Sequence, residues 1–224
     1  MAGAGQPADV HRSEFPVPER GWLVPLPWLA SLVVNGSEAV LIAWVAAQCR
    51  TIRGRERYGP IMRYGRVFAP GIEVDGGLPI PAASGRNAYA HATAKGLIFA
   101  EGCAITASGI VYPQAWCLDG DIVVDPTHAR ESRAFFGVAV TPQFLHRLHE
   151  LNRYDDDGDG FRGMLDANNH AGFHPDPATD LLLGAGREVP AWIREWSLDD
   201  EPEPGGPHRV NPPQDIIERL RRDR

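Results

Sequence analysis

Cysteine is scarce in this chain: three residues among 224, Cys49, Cys103 and Cys117. So few cysteines at irregular spacing exclude a disulfide framework and a Cys-based zinc site. Each stands among apolar neighbours, as a small buried hydrophobe does. Long apolar runs are missing too. The longest, residues 39 to 47, is too short to cross a bilayer, which takes about 20 residues as a helix. No membrane partner is therefore expected. The opening MAGAGQPADVHRSEFPVPER has neither a charged n-region nor an apolar h-region, so a secretory signal is not expected and the protein is read as cytoplasmic. Basic charge is in deficit, with 22 Lys and Arg against 29 Asp and Glu, a net charge of −7 and a pI near 5.6. The one dense basic run ends the chain, at residues 219 to 224. That balance argues against a nucleic-acid partner.

What is present is a globular composition, 43% hydrophobic with six tryptophans, enough to build one core of ordinary domain size. Its Ala, Gly, Arg and Pro content fits a GC-rich bacterial genome. Residues 1–20 read as a flexible arm, 21–197 as a single α+β domain, and 198–224 as an acidic, Pro-rich linker followed by a short charged helix. Asn35-Gly36-Ser37 offers capping residues for a helix to about residue 52, apolar on nearly every face and hence buried. A basic loop at 53–58 and a strand or two within 64–74 follow. Ser84 starts a helix of about three turns that Gly96 ends. A strand is expected at 135–140, a helix from Thr141-Pro142 to about 153, an irregular connection beyond Asp166, and a short helix at 189–197.

The most legible stretch is residues 97–127, LIFAEGCAITASGIVYPQAWCLDGDIVVDPT. Alternating apolar residues flank Ala107-Ser108 and again Asp119-Gly120, the mark of two hairpins with two-residue loops. Two-residue loops set the register. Thr106 opposite Gly109 puts Cys103 opposite Tyr112 and Glu101 opposite Gln114. Leu118 opposite Asp121 puts Trp116 opposite Val123 and Gln114 opposite Asp125. Opposed residues share a face, so Glu101, Gln114 and Asp125 are expected to form one row across three strands.

The helix at Ser84, the strand with PQAW and the strand with VVDPT, together with SGRNAY, FAEGCA and FFGV, resemble the core of the transglutaminase-like and wider papain-like cysteine enzymes over residues 84–138. The resemblance implies an α+β fold in which an antiparallel sheet packs on helices 37–52 and 84–95. It also implies a cysteine nucleophile at the helix N-terminus, a histidine base on the first strand and an orienting aspartate on the next. Here Ser84 stands at the cysteine position and Gln114 at the histidine position; only Asp125 matches. A helix N-terminus stabilises a thiolate but does not usefully ionise a serine hydroxyl without a base, and glutamine neither takes nor returns a proton. The thiol mechanism is absent from this sequence.

Three functional readings follow. One is a pseudoenzyme that binds a peptide or protein in the old cleft. Another is a non-thiol hydrolase or acyltransferase acting on amide or ester bonds, in which Glu101 and Asp125 part their pKa values and Gln114 donates to an oxyanion. His128, just past the Asp125-Pro126-Thr127 turn, is the candidate for a replacement base, and Cys103, diagonal to the row, for a relocated nucleophile. His91, two helical turns or roughly 10 Å from Ser84, is too distant to form a dyad with it. The third reading is a calcium-stapled structural protein. Residues 155–166, DDDGDGFRGMLD, match an EF-hand loop, with Asp155, Asp157 and Asp159 at alternate positions, Gly160 at the sharp turn, the Phe161 carbonyl and Asp166 closing. Asp in place of the longer Glu at the last position shortens that closing ligand.

Overall fold

The computed structural model describes residues 36–73, 84–127, 132–152, 175–199 and 211–223. Within them the chain is α+β. Helix α1 (Ser37–Gln48) is apolar all round, and every residue from Ala39 onward except Trp44 is buried. It stops at Cys49, and a second helix, α2 (Ile52–Tyr64), begins at once, capped by Thr51, whose Oγ1 accepts from the Gly54 N–H at 3.0 Å. The basic loop expected at 53–58 is therefore helical. Arginine is a good helix former, and Arg55, with Arg50 just before the helix, satisfies orphan carbonyls at neighbouring helix ends. Arg55 Nε donates to Cys49 O at 2.9 Å and its Nη2 to Ser197 O at 3.1 Å; Arg50 Nη1 donates to Trp196 O at 2.9 Å.

Strand β1 (Arg66–Glu73) follows, then α3 (Ser84–Lys95), which Gly96 ends at φ +69°, a left-handed exit that glycine makes without strain. Next come β2 (Ile98–Thr106), β3 (Val111–Asp119), β4 (Ile122–Asp125), β5 (Ser132–Ala139) and the helices α4 (Pro142–Asn152), α5 (Ala191–Leu198) and α6 (Gln214–Arg222).

The strands form a closed barrel in the order β1-β4-β3-β2-β5 rather than an open antiparallel sheet, and β1 runs parallel to β4. Closure follows from side-chain size. Small inward residues, Ala100, Ala104 and Ala139, face large ones, Phe68, Trp116 and Phe135, in one inner cluster, the alternation that fills a small barrel. The Trp116 ring lies 5.0 Å from Phe135 and 5.9 Å from Phe68. It also covers Gly137, where an added Cβ would meet the indole at 2.7 Å.

Two outer clusters cover the wall. Helices α1, α2, α5 and α6 bury Cys103, Ile105 and Phe136; α3 and α4 bury Phe99, Ala115, Cys117 and Val138. Ile216, Ile217 and Leu220 of α6 belong to the first, so the C-terminal helix is part of the core. Residues 175–190 carry little regular structure but are well tied. They bridge to β5 and β1 at Val140–Leu181 and Val67–Arg187, and they pack Leu182 and Ala185 against the inner cluster.

Candidate functional site

The expected row of three does not form, and the reason lies in one turn. The first hairpin pairs Ile105 with Val111 and Gly102 with Gln114. Its loop thus holds three residues, 107–109, with Gly109 at φ +84° and its N–H donated to Thr106 O at 3.0 Å. This is the three-residue alternative to a two-residue turn, with glycine in the left-handed position. The register moves by one residue, and a one-residue slip turns a side chain to the other face. Glu101 lies opposite Ala115, buried on the outward side with Phe99 and Cys103, away from Gln114.

The second hairpin slips by two. Asp119 pairs with Ile122 and Cys117 with Val124, around a Gly120-Asp121 loop. An even slip keeps the face, so Gln114 and Asp125 become diagonal neighbours instead of opposed ones. They still meet: Gln114 Nε2 donates to both Asp125 oxygens at 3.1 Å, with both residues buried. The contact orients the amide, since turning it over would set Oε1 against the carboxylate. The backbone N–H of Thr127 also donates to Asp125 Oδ1, at 2.8 Å.

Ser84 stands half-buried at the start of α3, and its Oγ accepts from the Ala115 N–H at 3.4 Å, the long limit of a hydrogen bond. The strand chemistry explains why that N–H is there to be taken. By the β3–β4 register Ala115 would pair with Pro126, where β4 has ended. Two residues earlier, Pro113 has no N–H to offer. The serine hydroxyl takes the place of the missing ladder partner. One turn further along α3, Asn87 Nδ2 donates to Thr127 Oγ1 at 3.1 Å.

Gln114 and Asp125 are thus brought together, Glu101 is not, and Ser84 reaches them through the backbone of Ala115, the residue next to Gln114, while Asn87 and Thr127 extend the contacts. Asn87 was legible only as a helical residue three positions after Ser84; nothing in the local pattern marks it for the site. His128 and the loop of Asp155, Asp157, Asp159, Phe161 and Asp166 lie outside the described residues. Among the described residues no group of three or more His, Cys, Asp or Glu is placed to hold a metal ion.

None of the three thiols is poised as a nucleophile. Burial pushes Cys49 up to about 12 despite Arg55. Burial, with Asp125 adding to it, likewise pushes Cys117 up to about 12, and the Cys117 Sγ donates to Ala88 O at 3.2 Å. Cys103 is raised further by burial, against a smaller lowering by Arg57. It lies under α1 and α2 on the outward side of the wall, on the face opposite Gln114.

Comparison with known proteins returns no match: no family model, no curated protein and no solved structure corresponds to this chain. Among the described residues no helix is long and apolar enough to cross a membrane.

Proposed function

We propose that the chain is a divergent member of the transglutaminase-like superfamily without the thiol–imidazole pair, a pseudoenzyme that binds a peptide or protein segment beside Ser84. The reading is supported by the contact of Gln114 on β3 with Asp125 on β4 and by the hold of Ser84, at the start of α3, on the Ala115 N–H next to Gln114, these being the positions to which the resemblance gives base, orienting acid and nucleophile. The observation that carries it is the Gln114 amide donating to both oxygens of Asp125. A buried amide in that contact holds a carboxylate in place but moves no proton, and the Ser84 hydroxyl accepts a hydrogen bond from the Ala115 N–H. The hydrolase reading needs Glu101 beside Gln114, and Glu101 is on the other face.

The test is turnover of fluorogenic amide and ester substrates, and of amine transfer, by the parent, by Asp125→Asn and by the pair Ser84→Cys with Gln114→His. The parent and Asp125→Asn are expected at the buffer rate, with any gain confined to the paired variant. Turnover in the parent that Asp125→Asn abolishes would overturn the reading. Binding is tested with a displayed peptide library: peptides held by the parent should be lost in Ser84→Trp. Retention by that variant places the ligand elsewhere.

A further inference from the structure

Ser84 and Asn87, three residues apart on α3, share one helix face and stand about 4.5 Å apart along its axis. They grip different strands. Ser84 takes the Ala115 N–H of β3, and Asn87 holds the Thr127 hydroxyl beyond β4. Thr127 holds Asp125 through its N–H, Asp125 holds Gln114, and Gln114 is bonded along the chain to Ala115. The contacts close a ring that runs from α3 through β3 and β4 and back to α3. In a ring, loss of one link loosens the geometry at the others, whereas an isolated contact fails alone.

We propose that Asn87 is a positioning residue of this site: by holding Thr127 it fixes the start of α3, and with it position 84, against Ala115 and the Gln114–Asp125 pair. The functional meaning of position 84 rests on the reading above; the coupling itself does not. The ring also accounts for a polar side chain at a helix position that local pattern leaves unexplained.

The experiment puts a reporter at position 84. Ser84→Cys introduces one half-buried thiol into a full-length chain whose own cysteines are buried and raised, so alkylation by iodoacetamide reads position 84. The α3 N-terminus and the Ala115 N–H both favour its thiolate. Adding Asn87→Ala or Thr127→Val is expected to slow alkylation at neutral pH about threefold or more and to move the pH midpoint upward, because the thiolate loses its aligned donor. Thr127→Val should slow alkylation less in the Asn87→Ala background than by itself, since each change removes the bond they share. Thr127→Ser keeps the hydroxyl and should leave the profile unchanged. If Asn87→Ala fails to fold, the Thr127→Val and Thr127→Ser pair decides. An unchanged alkylation profile in the variants that break the bond, or additive effects, would overturn the proposal. Turnover by the parent would sink the pseudoenzyme reading and leave this measurement standing, because it reads a thiol and not a product.

Discussion

Single residues in this protein act mainly by taking orphan backbone groups, and Asp180 shows how much one can tie down. It is buried, accepts from the Asp176 N–H at 2.8 Å and from the Thr179 hydroxyl at 3.2 Å, and pairs with Arg147 of α4 at 2.6 Å. Its own carbonyl accepts from Thr141 N at 2.8 Å. Burial alone raises its carboxyl, but the Asp176 N–H and the Arg147 guanidinium, with Thr179, outweigh it and hold the pKa below the ordinary value. A carboxyl depressed in the folded state stabilises above its unfolded pKa, about 3.9. That stability is lost as the pH falls through the folded value. Asp180→Asn should therefore lower stability at neutral pH and flatten the acid limb of the stability–pH curve below about pH 4. Denaturant titrations across that range check both; an unchanged limb means the carboxylate is not coupled to folding. Asp180 was invisible as an anchor in the sequence, because its partners come from α4 and from its own irregular loop.

At the scale of elements, pattern spoke well wherever the cause is local. Helix α3 is ended by Gly96, and α4 starts at Pro142 behind Thr141, whose Oγ1 accepts from the Phe144 N–H, because left-handed glycine, capping and N-terminal proline act within a turn. It spoke less well for α2, whose arginines were read as loop because their carbonyl partners lie on other helices. The motif that follows α4 in sequence remains a proposal on its own chemistry: the carboxylates of Asp155, Asp157, Asp159 and Asp166 with the Phe161 carbonyl suit calcium. Millimolar calcium is expected to raise the melting temperature, since a ligand that binds only the folded state stabilises it, and Asp155→Ala should remove the effect. A melting temperature indifferent to calcium in the parent would dismiss the staple.

For the molecule as a whole, closure of the barrel and the packing of α6 decide what counts as core. The acidic stretch before residue 211 reads as a linker, yet Ile217 of α6 is fully buried against α1. Ile217→Ala should cost about 2–5 kcal/mol, as deletion of a buried aliphatic side chain does. The loss should appear as a shift of one cooperative transition in which circular dichroism and tryptophan fluorescence coincide. A separate early transition would show instead that α6 unfolds as an appendage.

By itself the sequence determined what depends on neighbours along the chain: the α+β character, the buried first helix, the two hairpins and the adjacency of Gln114 to Asp125. That adjacency survived because the second hairpin slipped by two residues, and strand faces repeat every two. Glu101 was lost because the first slipped by one. Whether the turn at Ala107-Ser108 closes with two residues or takes in Gly109 as a third is a small local preference, and the barrel settles it by asking which side chains fit inside. Trp116, Phe68 and Phe135 need the inner face, and the small residues of β2 make room for them there. Only the tertiary structure decides that, since inside and outside do not exist until the sheet closes.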